Sequence, residues 1–254
     1  MTPLLEVCVD SLSSARAAIA GGADRLELCS ALAVGGLSPY AELLRQIRAE
    51  APSIPVRCLM RPRPGDFLYE PEEIELLCAQ MPALRRAGAD GFVIGALTPD
   101  GELDRPAVRK MMAAAGAGAA FTLHRAIDVS RDPLKTYRDA AALGFDTVLT
   151  SGAAASCREG TAQLEALLAE RDRGQGPEVL IGAGVNETVI QALRGRLPAA
   201  RAFHMSGKTE RESRMAFRRT GVPMGLPGLD EWHIQQTSEE AVRAARRALD
   251  ASFA

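Results

Sequence analysis

With 254 residues, 47% of them hydrophobic and 24% charged, and a formal net charge of -2, the chain can bury a sizeable core and carries no surplus of either sign. That balance gives no electrostatic basis for binding nucleic acid or a membrane surface, and no uninterrupted apolar run is long enough to span a bilayer. It is the composition of an ordinary cytoplasmic protein.

No basic segment followed by a long apolar one opens the chain, because Glu6 interrupts the only run available, so no signal peptide is expected. From there short β-type runs alternate with longer Ala- and Leu-rich helical stretches. The first predicted strand is Leu4–Val9, with a helix over 11–20. The second is Arg25–Cys29, with a helix over 38–49 that Ser38-Pro39 should cap. Strands at Val56–Met60, Gly91–Gly95, Ala120–His124 and Thr147–Thr150 precede helices over 71–87, 104–115, 131–142 and 160–173. The last two strands are Val179–Ile181 and Ala202–Ser206, with helices over 186–195 and 238–252, the latter opened by Ser238 and two acids. Gly22-Ala23-Asp24, Gly88-Ala89-Asp90 and Gly144-Phe145-Asp146 share one pattern, a glycine helix stop feeding a new strand.

Eight strand–helix units predict a single (β/α)8 TIM barrel, an α/β fold, over residues 1–254. An open doubly wound sheet suits fewer strands. No G-x-G-x-x-G follows the first strand, so no nucleotide cofactor is indicated. The stretch 207–237, holding Gly221, Pro223, Gly225, Pro227 and Gly228, is too long for an ordinary connection and is expected to be a loop serving as a lid or a partner contact.

A barrel of this kind keeps its active site at the C-terminal strand ends. Period-two reading sends Glu6 and Cys8 to one face of the first strand, and Arg25, Glu27 and Cys29 to one face of the second. A carboxylate does not face a core unless it is paired or working. Arg61 and Arg63 flank a proline at the third strand end and suit a carboxylate or phosphate, or else neutralise the glutamates. His124 and His204 close the fifth and eighth strands and are candidates for acid–base work or metal ligation, with Arg125 next to the first; His233 is expected to be an exposed polar residue. Thr150, Gly182, Gly184 and Ser206 complete the predicted mouth, the glycines lying where barrels often hold a phosphate. The opposite strand ends show nothing comparable.

The five cysteines are scattered with no C-x-x-C spacing, which argues for reduced thiols and against a disulfide framework or zinc ribbon. Cys78 and Cys157 read as small buried hydrophobes. Cys8 and Cys29, on neighbouring strands, could hold Cu(I) or simply fill the barrel interior.

Glu6-Val7-Cys8-Val9-Asp10-Ser11, Arg25-Leu26-Glu27-Leu28-Cys29, Gly35-Gly36-Leu37-Ser38-Pro39 and Met60-Arg61-Pro62-Arg63 stand in this order. Gly65-Asp66-Phe67-x-Tyr69, His124-Arg125-Ala126-x-Asp128, Leu149-Thr150-Ser151-Gly152 and His204-x-Ser206 follow. Together these blocks resemble the CutC copper-homeostasis family from about residue 4 to 252. Pro64 departs from the glycine common there, and Ile127 from phenylalanine. The resemblance implies a cytosolic TIM-type barrel that forms homo-oligomers (dimers or tetramers), a role in copper homeostasis, and Cu(I) on Cys8 and Cys29.

Three readings stay open. In the first the thiols bind Cu(I) and the polar residues are structural. In the second the barrel is an enzyme for a small anionic or sugar-like metabolite, with Arg61 and Arg63 holding the anion while Glu6, Glu27, His124 or His204 moves protons. In the third a divalent metal sits on His124, His204 and a glutamate.

Overall fold

Alternating side chains decide what this barrel keeps inside. The computed structural model describes residues 3–174, 176–222, 224–225 and 231–251. Its parallel strands are β1 (Leu4–Val9), β2 (Arg25–Leu28), β3 (Val56–Leu59), β4 (Gly91–Ile94), β5 (Ala120–Leu123), β6 (Thr147–Thr150), β7 (Glu178–Ile181) and β8 (Ala202–Met205). They pair in sequence order and β8 closes on β1, so the ring has no free edge. Between them run α1 (Leu12–Ala20), α2 (Ala41–Glu50), α3 (Pro71–Arg86), α4 (Arg105–Ala115), α5 (Pro133–Leu143), α6 (Thr161–Gly174) and α7 (Glu187–Arg196), with α8 (Glu239–Asp250) last. This is the (β/α)8 barrel the sequence predicts.

The main apolar core lies between ring and helices, where Leu5, Val7, Leu26, Leu28, Val56, Phe92 and Ile94 are fully buried. Inside the ring, among the described residues, two small apolar clusters form, Cys8–Cys29–Leu59–Val93 and Leu149–Leu180–Ala202. Many of the other inward side chains are polar. Arg57 donates to Thr122 Oγ1 at 2.6 Å and Thr147 Oγ1 at 3.1 Å and pairs with Asp146, just before β6, at 2.6 Å. The expectation that the far strand ends offer nothing comparable is therefore corrected. They hold a buried polar network beside the small apolar clusters.

The three Gly-x-Asp sites share one geometry. Gly22, Gly88 and Gly144 have φ of +93°, +106° and +90°, the left-handed region glycine adopts freely. Each aspartate then reaches back to a backbone N–H of the preceding strand: Asp24 to Leu5 at 2.7 Å, Asp90 to Val56 at 2.7 Å and Asp146 to Phe121 at 2.8 Å. The repeat is a clip between neighbouring strands.

Two expectations are corrected. Helix α2 starts at Ala41, not at Ser38, because the Ser38 hydroxyl is engaged elsewhere: it donates to Arg61 O at 3.1 Å and accepts Arg61 N–H at 3.0 Å. The stretch 207–237 is not simply a loop. Its ends form an antiparallel hairpin of β9 (Lys208–Glu212) and β10 (His233–Thr237), with Lys208 opposite Thr237. Pro223, Pro227 and Gly228, and Ser252 of the last predicted helix, lie outside the described residues. Ser238 does cap α8, accepting Ala241 N–H at 3.2 Å.

Candidate functional site

The doubled Glu-x-Cys pattern of β1 and β2 sends all four side chains inward. Glu6 is fully buried and accepts from Arg25 Nε at 2.5 Å, while its other oxygen lies 2.8 Å from His204 Nδ1. Burial would raise the Glu6 pKa, but the Arg25 charge and the His204 hydrogen bond outweigh it and hold the carboxyl at about 2. Burial would lower the His204 pKa, yet attraction to Cys8 and Glu27, with hydrogen bonds to Cys8 and Glu6, raises it well above the ordinary value. His204 Nε2 stands 3.7 Å from Glu27 Oε2. One ligand atom each from Cys8, Glu27 and His204 lies within 4.8 Å of the other two. The Cys29 thiol donates to Glu27 Oε2 at 3.5 Å. Burial, then the neighbouring Glu27 and Cys8, pushes the Cys29 pKa well up, and burial also raises that of Glu27.

Above this floor opens a cavity of about 560 Å³. Cys8, Glu27, Arg61, His124, Arg125, His204 and Ser206 all line it, as do Lys208, Glu210, His233 and Gln235 from the hairpin. The hairpin thus walls the mouth, and His233 is both exposed and part of that wall. Arg61 is buried and donates Nη1 to Val34 O and Gly36 O, each at 3.3 Å, and Nη2 to Gly65 O at 2.8 Å. This pins the 32–36 turn to the mouth. Gly36 must stay glycine there, since its φ is +85° and a Cβ would meet Leu59 at 2.9 Å. His124 is buried, its Nδ1 accepting Ala126 N–H at 3.2 Å. Phe67 lies against both, 4.7 Å from the His124 ring and 5.2 Å from the Arg61 guanidinium carbon.

Other predicted site residues are placed differently. Arg63 turns away from the mouth: it pairs with Glu73 at 2.8 Å and Asp66 at 3.0 Å and stacks on Tyr69, tying the loop to the start of α3. It therefore does not join Arg61 as an anion clamp. Arg25 lies beneath the cavity as the partner of Glu6. Cys29 packs beside Cys8 without lining the cavity, and Gly182 and Gly184 do not line it either. A Cβ on Gly182 would meet Leu149 at 2.7 Å, so that glycine serves packing beside His204. His124 takes no part in the Cys8–Glu27–His204 cluster.

Thr150 and Arg125 serve a hub that sequence reasoning missed, Asp128. Its carboxylate accepts from Thr150 Oγ1 at 2.5 Å, Ser151 N and Oγ at 2.9 Å, Ala153 N at 3.1 Å and Arg125 Nε at 2.7 Å. The signal was the acid four residues after His124. Asp128→Ala strands several buried donors, so a loss of about 3 kcal/mol or more is expected in urea unfolding, and a loss below about 1 kcal/mol would deny the hub its role.

The CutC family model matches residues 3–209. The chain belongs to the CutC family. A CutC-named protein from Chromobacterium violaceum is 41% identical over 250 residues, covering 98% of this chain and 99% of its own. The human copper homeostasis protein cutC homolog is 40% identical over 242 residues, covering 94% and 86%. A crystal structure of CutC from Streptococcus agalactiae superposes with a TM-score of 0.74 at 26% identity, covering 81% of this chain and 99% of that one. In this CutC-family chain the blocks read from sequence gather around a single mouth, with the hairpin strand β10 contributing from beyond the matched residues.

Proposed function

We propose that this protein handles copper, holding one Cu(I) ion at the cavity floor on the Cys8 sulfur and His204 Nε2, with Cys29 as the adjoining thiol. The observation that carries the reading is the convergence of Cys8, Glu27 and His204 ligand atoms within 4.8 Å. A thiolate and a neutral imidazole are a donor set that suits Cu(I) at low coordination number, and the protons on Cys8 and His204 Nε2 are released to solvent as the ion binds. Glu6 on His204 Nδ1 is the outer partner that ligating histidines commonly have, fixing which nitrogen faces the metal. Glu27, whose pKa burial raises, is placed to take the Cys29 proton when that thiol joins the ion.

A reducing cytosol is the compartment this chemistry needs, and free cysteines throughout the described residues support it. No described helix is long and apolar enough to cross a membrane. Homo-oligomerisation has a surface at hand, since Met215, Phe217 and Met224 beyond β9 are exposed.

Titrating reduced protein with Cu(I) against a chromophoric chelator tests the function. One ion per chain should be withdrawn from the chelator. Protein that withdraws none would remove the copper reading.

A further inference from the structure

We propose that the upper part of the cavity is a separate binding site for the carboxylate of a small aliphatic acid, held between His124 Nε2–H and the Arg61 guanidinium. This goes beyond the copper reading and does not depend on it.

The tautomer of His124 is set by its surroundings. Nδ1 accepts the Ala126 N–H, so Nε2 carries the proton. That Nε2 has no protein acceptor although the residue is only 4% exposed. A buried donor without an acceptor is destabilising, and native proteins keep such a group where something else satisfies it. Burial, then the Arg61 charge, lowers the His124 pKa to about 3, so the ring offers a neutral N–H near neutral pH.

Arg61 supplies the charge. Its Nη atoms are spent on backbone carbonyls, and the Tyr69 hydroxyl lies beside it, but its Nε has no acceptor in hydrogen-bond geometry. Among the described residues no carboxylate pairs with it. A permanent cation in a cavity wall without a counter-ion calls for an anion. Phe67 covers both groups and lowers the local dielectric.

The donor set also selects the class of anion. One cation and one neutral N–H match the two oxygens of a carboxylate, whereas a phosphate dianion asks for more donors. The Gly182–Gly184 turn, where barrels often cradle phosphate, does not line this cavity. Leu32, Leu59 and Leu149 give the remaining wall an aliphatic face. The volume of about 560 Å³ is far more than one metal ion needs and is in the range of small-molecule sites. Glu27 at the floor already faces His204 at 3.7 Å, so the acid group belongs at the Arg61 end, where among the described residues the cation has no carboxylate partner.

The chain has three histidines, so imidazole N–H signals in labelled protein can be followed individually. Metal-free protein, kept with a chelator, is titrated with pyruvate, butyrate and succinate, each beside its amide, and with inorganic phosphate. The His124 Nε2–H signal should shift with at least one acid and not with its amide. His124→Leu should weaken that acid at least tenfold, and His124→Gln, which keeps an N–H donor, should restore part of it. The proposal is overturned if no acid binds more tightly than about 10 mM, if phosphate binds better than every acid, or if His124→Leu binds as well as the parent. Should His124→Leu fail to fold, the wild-type signal decides alone. Cu(I) affinity, read separately on each protein, tells failure of this site from failure of the copper site.

Discussion

Cys8→Ser is expected to weaken Cu(I) binding by more than about 100-fold, exceeding the loss usual when an outer partner of a metal ligand is removed. A hydroxyl is a hard donor with little affinity for Cu(I), and Cys8 is the thiol that lines the cavity. Cys29→Ser should cost less, because the Cys29 thiol is hydrogen-bonded to Glu27, its pKa is raised, and it lies behind the cavity wall. Chelator competition on the two single variants and the double variant measures the order. Equal losses would place the thiols as an equivalent pair, and an unchanged Cys8→Ser affinity would put copper elsewhere.

Glu6→Gln is expected to destabilise the fold by about 3–5 kcal/mol, the range for removing one partner of a buried ion pair. The amide cannot carry the charge that Arg25 and His204 share, and Arg25 Nη2 already has no protein partner. The pH profile follows from the direction of the shifts. Glu6 titrates at about 2 when folded against 4.5 ordinarily, so its stabilisation is complete above pH 4.5 and is lost as pH falls towards 2. That acid limb amounts to about 3 kcal/mol. His204 acts in the opposite sense: its folded pKa is raised from 6.5, so its contribution is whole below that value and fades as pH climbs through the folded pKa. Urea unfolding of both proteins from neutral pH to about pH 3 should show a shallower acid limb in Glu6→Gln. Parallel curves would mean that Glu6 is not the group that titrates.

The barrel was legible because most strands are apolar runs bounded by turn chemistry and most helices have a glycine or capping signal, α2 being the exception. Five strands end one residue earlier than the pattern predicts, at Gly95 and Ser206 and, with a ladder hydrogen bond kept, at Cys29, Met60 and His124. At these last three the residue still donates its N–H to the neighbouring strand, to Val9, Val93 and Ile94, as the chain leaves the ring. Glu6, Cys8 and Glu27 were readable as one face, since a period of two leaves no other choice. Arg57 was not, although it shares a face with Leu59 and Arg61: the apolar Val56, Cys58 and Met60 dominate that strand's pattern. Arg63 looked equivalent to Arg61 because proline spacing says nothing of direction. Its partner Glu73 is ten residues on, in the first turn of α3. The hairpin was hidden by the glycines and prolines between its strands, even though His233–Thr237 reads as a short strand once isolated.

Because each aspartate clip joins an odd-numbered strand to the one after it, the ring is sewn in two-strand modules. New chain termini opened in the exposed turns at 52–53 or 116–118 leave all three stitches whole, whereas termini opened beside Gly22 or Gly88 cut one. Circular permutants and fragments of this protein thus have natural seams every second strand, and it is there that the barrel is best divided or rejoined.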